Sequence, residues 1–237
     1  MPASIGYWPP MHLTPHHPGR ALGRAAVLAV LAATVTVTSA PAEATAPPTV
    51  APADTALEYS DGTPRNARLT IPGLPRITNL KVVAYRGKTD DGPGTRIQNR
   101  GIAASPYGPQ GGIGPGGIGN YQVTAHRSSH GGIFRRTPTL RKGDQVYVDA
   151  GPWRYVYEVF KTRWVSFRSA KSLRAQRAPV PGKPGKKATR GFITISTCAT
   201  PEDRAAGNYW TDQYGNPEHR IDKIGILVKR VERPSRA

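Results

Sequence analysis

Phe192-Ile193-Thr194-Ile195-Ser196-Thr197-Cys198 alternates apolar and small polar side chains with a period of two, which is the pattern of a β-strand with one face on a core. Its β-branched residues suit an extended backbone. The run ends on the chain's single cysteine. Upstream, Asn120-Tyr121-Gln122-Val123-Thr124-Ala125-His126 alternates in the same way and delivers a histidine at its end. Downstream, Arg220-Ile221-Asp222-Lys223 leads into Ile224-Gly225-Ile226-Leu227-Val228, a last strand.

Short runs of the same kind fill the space between. Arg68 to Ile71, Leu80 to Tyr85, Gln145 to Asp149 and Trp153 to Val159 read as strands, with Lys161 to Phe167 continuing the sheet. Pro72, Gly73, Lys142-Gly143-Asp144 and Ala150-Gly151-Pro152 are their turns. With Gly 26 and Pro 24 in 237 residues, the chain is all-β with few short helices. About eight strands with turn-rich joins favour a closed barrel, because closure removes exposed edges.

The ends read differently. Arg20 and Arg24 precede an apolar stretch from Ala25 to Val37, followed by small residues including Ala40, Ala42 and Ala44, the layout of an export signal. The stretch is shorter than the ~20 residues of a comfortable membrane span, so cleavage and retention as a signal anchor both stand. Residues 1–24 form a cytoplasmic lead, 25–40 the signal or anchor, and 41–66 a flexible linker rich in Ala, Pro and Thr. The folded domain is then 67–230, with a basic tail over 231–237. The expected location is outside the cytoplasm, at the membrane or released to the wall.

A net charge of +18 points to an anionic neighbour: nucleic acid, lipid headgroups or wall polymers. The export signal disfavours nucleic acid. Arg168 to Arg190 holds eight basic residues and no acidic one, broken by prolines and glycines, and reads as a solvated loop. The glycine-rich stretch Gly108 to Gly119 lacks the Gly-Lys-Ser/Thr of a phosphate loop; a mobile loop beside a site is the expectation.

A lone cysteine in an exported chain is unpaired, intermolecularly paired or reactive. Its strand-end position favours the reactive reading, yet on the cysteine alone a small buried apolar residue is about as good an account, and His126 and Arg220 tip the balance. His126, Cys198 and Arg220 all stand at strand boundaries, and side chains at one rim of a barrel converge although far apart in sequence. A Cys/His pair supplies a thiolate and a proton carrier, and an arginine stabilises an oxyanion. His130 and His219 are weaker histidine candidates, and Arg204 competes with Arg220.

Four stretches together carry a resemblance: Asn120 to Arg127 with its Ala-His-Arg, Leu140-Arg141-Lys142-Gly143-Asp144-Gln145-Val146, Ile193 to Cys198 with Thr-Ile-x-Thr-Cys, and Arg220 leading the last strand. In this order, from about Leu69 to Val228, they resemble the sortases, most closely the class E sortases of actinobacteria. The resemblance implies a closed eight-stranded sortase-type barrel and a cysteine transpeptidase that needs no cofactor. Cys198 would attack the carbonyl after threonine in a C-terminal LPXTG-type sorting signal, with LAXTG preferred in class E. An amine of a peptidoglycan precursor would then resolve the thioester. The partners implied are secreted proteins bearing that signal. His126 would move the proton and Arg220 would hold the oxyanion.

For substrate contacts, the loop after Cys198 offers Asn208-Tyr209-Trp210 and Tyr214-Gly215-Asn216-Pro217 as groove wall or simple packing. Thr197 is a tuning hydroxyl or a strand former. Tyr121 is a rim contact or core filler. Asp90 and Asp91 lack the array of a calcium loop, so no metal is expected. Arg220, if close, should pull the Cys198 thiol down; unless it does so strongly, the thiolate and imidazolium coexist in a minor fraction and turnover is slow. The competing class is a non-catalytic basic β-domain that binds anionic wall polymers.

Overall fold

A computed structural model describes residues 56–233. The cytoplasmic lead, the signal or anchor and most of the expected linker lie outside the described residues. Eight strands, β1 (Ala67–Thr70), β2 (Leu80–Arg86), β3 (Ala103–Tyr107), β4 (Gly119–Thr124), β5 (Gln145–Ala150), β6 (Trp153–Ser166), β7 (Gly191–Cys198) and β8 (His219–Glu232), close into a barrel in the order β1-β2-β3-β4-β7-β8-β6-β5. Three short helices, α1 (Gly92–Gln98), α2 (Ala170–Arg177) and α3 (Thr200–Ala205), sit in the connections.

Two pairings, β2 with β3 and β4 with β7, are parallel. Parallel neighbours need a crossover: α1 supplies the first, and the whole β5–β6–α2 excursion supplies the second. Because β4 and β7 run together, they end at one rim. β8 is antiparallel to β7 and therefore starts where β7 finishes.

Alternation separates two faces. Tyr121, Val123, Ile193, Ile195 and Leu227 point into the core with Leu69, Val82, Val148 and Tyr157, each large side chain contributing about 1.5–3 kcal/mol by leaving water. The other face of β4 and β7 is polar, yet every residue of both strands is buried. The α2 segment covers it: Asn120 Nδ2 donates to the carbonyls of Gln176 and Ala178 at 3.0 and 3.2 Å, and Gln176 Nε2 reaches Ser196 Oγ at 3.2 Å. Thr89, just before α1, donates to Gln122 Oε1 at 2.9 Å.

Four expectations change. The strand β3, Ala-Ala-Ser-Pro-Tyr, escapes a hydrophobic-pattern reading because its side chains are small; Pro106 is tolerated since pairing with β4 is confined to Ala104 and Thr124. The basic stretch after Arg168 contains α2, capped by Ser169 Oγ accepting from Ser172 N at 3.1 Å. The linker reading overruns the fold: Ser60 N donates to Gly116 O at 2.9 Å, and Leu57 and Tyr59 pack on the core. The glycine-rich stretch is what receives them. It lies where β4 and β7 begin, at the rim opposite Cys198, with Gly114 N donating to Gly62 O at 2.7 Å. At Gly116 (φ 79°) any Cβ would run into the Tyr155 ring.

Candidate active site at the rim of β4, β7 and β8

Register builds the site. Thr124 of β4 lies beside Ser196 of β7, which lies beside Asp222 of β8. Two residues further toward the rim, the next row is His126, Cys198 and Arg220, with Cys198 and Arg220 directly paired. Residues 72 and 22 positions apart from Cys198 thus become neighbours through strand direction alone.

Arg220 is 1% exposed, and its Nη1 donates to Cys198 Sγ at 3.3 Å. Its Nη2 is ion-paired with Asp90 Oδ2, and its guanidinium lies over the Phe167 ring, 4.0 Å from the centroid. Burial opposes the charge, but Asp90 and then Cys198 more than offset this and push Arg220 above its ordinary value. Asp90 is held in turn by Gln98 Nε2 at 2.5 Å and Thr124 Oγ1 at 3.0 Å, both donating to Oδ1.

Cys198 is 8% exposed. Burial pushes its thiol up; Arg220 pulls it down and Asp90 pushes it up again, leaving it above the usual thiol range. The arginine acts in the expected direction but does not win, because desolvation of a buried thiolate is the larger effect. His126 is moved down, by burial first, with Asp90 opposing. Its Nε2 lies 2.7 Å from Asn99 Oδ1, at the end of α1, and its ring stacks on His130 at 5.0 Å. With the Asn99 oxygen accepting, Nε2 carries the hydrogen and Nδ1 is the basic nitrogen.

An open groove of ≈ 470 Å³ runs past these groups, lined by His126, His130, Cys198, Arg204 and the Tyr214 to Pro217 stretch. Of the residues expected to contact substrate, Tyr121 is in the barrel core, since it shares the inward parity of Val123. Thr197 is fully buried, its Oγ1 donating to Ala125 O at 2.8 Å, so it ties β7 to the residue before His126. Tyr209, 74% exposed, and Trp210, against the Arg168 guanidinium, do not line the groove; the second half of that loop does. His219 Nδ1 lies 2.7 Å from Asp203 Oδ1 and fastens α3 to the start of β8.

Asp90, Asn99 and Phe167 reach the site without a period in the sequence that marks them, and Arg127, visible there only as the end of Ala-His-Arg, joins them. Arg127 donates to Cys198 O at 3.3 Å and grips Glu202 of α3 through both terminal nitrogens, at 3.3 and 2.8 Å. The pair Asp90-Asp91 stood out only as a candidate for metal. In the fold Asp91 caps α1, with Oδ1 accepting from Gly94 N at 2.9 Å, and Asp90 faces Arg220. The Asp-Gly-Pro of a helix start at Asp91 was the available signal.

The family model of the sortase domain matches residues 69–211. Sortase SrtE2 of Streptomyces coelicolor is 32% identical over 80 residues, 34% of this chain and 30% of that protein. Sortase SrtE1 of the same organism is 34% identical over 84 residues, 35% of this chain and 23% of that protein. The match thus spans under a third of the length of these curated relatives. Among solved structures, the SrtA sortase from Actinomyces oris superposes with a TM-score of 0.55 at 20% identity, covering 76% of this chain and 87% of that one. Sortase E1 from Streptomyces coelicolor, with a tripeptide in its active site, gives 0.51 at 19%, covering 74% and 94%. The closed barrel is the fold these structures share.

Proposed function

The chain belongs to the sortase family, most like its class E members, and from that premise we propose that it is a cysteine transpeptidase whose reaction runs through a thioester on Cys198. The observation that carries the proposal is the Cys198–Arg220 pair, Nη1 to Sγ at 3.3 Å, on the same groove as His126.

In the first half-reaction the Cys198 thiolate attacks a peptide carbonyl. The Sγ–C bond forms, negative charge moves to the carbonyl oxygen, and Arg220 stabilises it. As the C–N bond breaks, the imidazolium of His126 gives its proton to the leaving amine. In the second half-reaction an incoming amine attacks the thioester, loses its proton to His126 and expels the thiolate. Protons and charge return to their starting places, so no further reactant is required.

The substrate in this reading is a C-terminal LAXTG or LPXTG signal cleaved after threonine, lying along the groove between His130 and the Tyr214 to Pro217 loop. The neighbour with a tripeptide in its active site supports a peptide in that place. The acceptor is an amine of a peptidoglycan precursor, and the site works outside the cytoplasm, where the stretch from Ala25 to Val37 directs it.

The test is mass spectrometry of the full-length chain incubated with a fluorogenic LAXTG peptide, with and without an added amine. We expect an acyl adduct on Cys198 and a product that gains the amine. A folded protein that forms no adduct with LAXTG or LPXTG peptides would move the reading to a basic domain that binds wall polymers.

A further inference from the structure

Arg220 faces two anions. One guanidinium nitrogen points to Sγ and another to a carboxylate that comes from a different part of the chain, the turn between β2 and α1. That turn holds Asp90 at φ 56°, a left-handed backbone uncommon for residues with a Cβ but one that aspartate tolerates in turns, and its side chain is held by its surroundings. Here the surroundings are Gln98 and Thr124 on Oδ1 and Arg220 on Oδ2. Three partners and near-complete burial converge on one carboxylate next to the arginine that meets the thiol.

We propose that Asp90 is a positioning residue for the transfer reaction: its carboxylate pins the Arg220 guanidinium beside Sγ and takes a share of the charge that Arg220 would otherwise lend to the sulfur. The proposal rests on the transpeptidase reading. Asp90 and the Phe167 ring fix the arginine from two directions, so the donor stands ready before the oxyanion forms and needs no reorganisation when it does. The same carboxylate is a like charge to the thiolate. It therefore trades resting thiolate for a rigid oxyanion donor.

The groups that act on Cys198 are Arg220, Asp90 and, from the β7–β8 loop, Asp212. Those in the field of Asp90 are Arg220, Cys198, His126 and, from β2, Tyr85. Asp222 also acts on Arg220 from two residues along β8. Among these, Asp90 alone contacts the arginine's second terminal nitrogen.

A residue that only supports the fold would affect both steps of the chemistry in one direction. Asp90 should move them apart. Cys198 is the only cysteine, so alkylation by iodoacetamide followed by mass reports its thiolate directly, from about pH 6 to about pH 10. In Asp90→Asn, loss of a like charge at this range should lower the alkylation midpoint by about one pH unit. Because nucleophilicity falls as basicity falls, alkylation at neutral pH should then be roughly three-fold faster. Turnover of the LAXTG peptide with amine should fall about tenfold as the arginine loosens. Asp90→Glu keeps the charge one methylene further out, so its midpoint should stay within a few tenths of a unit of wild type while turnover still falls.

An Asp90→Asn midpoint that stays put or rises overturns the proposal, as does unchanged turnover in that variant. Urea unfolding of each variant precedes these measurements. If Asp90→Asn does not fold, Asp90→Glu decides: wild-type turnover there refutes positioning. If the wild-type chain transfers no peptide, the transpeptidase reading fails on its own, and the alkylation midpoint still decides whether Asp90 competes for Arg220.

Discussion

Along β4, β7 and β8 the inward face carries Tyr121, Val123, Ile193, Ile195 and Leu227, whereas the outward face carries Asn120, Gln122, Thr194, Ser196, Cys198, Arg220 and Asp222. Both faces are buried, but by different means. The inward face is covered by other apolar side chains, which need no particular orientation. The outward face is covered by helices and loops and is held by specific hydrogen bonds between polar side chains: Thr194 Oγ1 on Asn120 Oδ1 at 2.8 Å, Ser196 Oγ on Asp222 Oδ1 at 2.6 Å, Gln176 Nε2 on Asp222 Oδ1 at 3.1 Å. Asp222, with no solvent contact, is pushed up by burial even so. Chemistry is possible on the second face because a fixed, dry array of dipoles and charges acts more strongly on a nucleophile than the same groups in water.

The two faces should therefore fail differently. Cys198→Ala gives the largest effect: loss of the acyl adduct and a fall in transpeptidation of at least about 10⁴-fold, with the unfolding midpoint close to wild type. An adduct on any other residue in that variant would remove the cysteine from the chemistry. Arg220→Ala should cost about 10²–10³ in turnover and, because it strands the Asp90 carboxylate in the interior, about 3–5 kcal/mol of stability. Denaturant melts and peptide kinetics on one preparation separate the two losses. Arg220→Lys keeps a charge but cannot span Sγ and Asp90 together, and should recover stability more than activity.

On the inward face, Ile195→Ala should cost about 2–5 kcal/mol while the folded fraction keeps wild-type turnover; a selective loss of turnover would show that the core face also sets the site. The smallest effect belongs to Thr197→Val, which leaves the buried Ala125 carbonyl without its hydroxyl donor. We expect about 1 kcal/mol of destabilisation and a fall in kcat at unchanged KM. A change confined to KM would restore the substrate-contact reading of Thr197.

pH tests the outward face as a unit. Burial raises the cysteine and lowers the histidine. The histidine therefore loses its proton before the cysteine does. The thiolate–imidazolium form, which needs the opposite order, is a minor species at every pH. kcat/KM should trace a bell between the lower, histidine-like limb and the upper, cysteine-like limb, with low absolute values at its summit. A monotonic rise to an alkaline plateau would show that the neutral imidazole suffices.

Much of this is legible in the sequence. Period-two alternation marks β4 and β7 because one of their faces is apolar, and β5 and β6 are bounded by turns that glycine, proline and aspartate announce. β3 was not legible: alanine and serine carry no amphipathic contrast. Nor was α2, which is held by its cap and by the hydrogen bonds of Gln176 Nε2 to Ser196 and Asp222, not by an apolar stripe. Of the site, His126, Cys198 and Arg220 were visible as chemically capable residues at strand ends. Alternation leaves Tyr121 open between rim and core and Thr197 between tuning hydroxyl and strand former; strand parity in the barrel turns both inward. Both halves of the loop after Cys198 carry aromatic side chains, and only the structure separates Tyr214, on the groove, from Tyr209 and Trp210, which lie off it.

Strand identity and the three site residues follow from local pattern, because alternation, turn residues and side-chain chemistry are properties of neighbours in sequence. Asp90, Asn99, Arg127 and Phe167 belong to turns, helix ends and strand ends with no periodicity of their own. Their roles come from barrel closure, from the parallel direction of β4 and β7, and from the register that sets Cys198 opposite Arg220. Whether a charge helps or hinders a thiol depends on distance and dielectric, and both are set only when distant segments pack together.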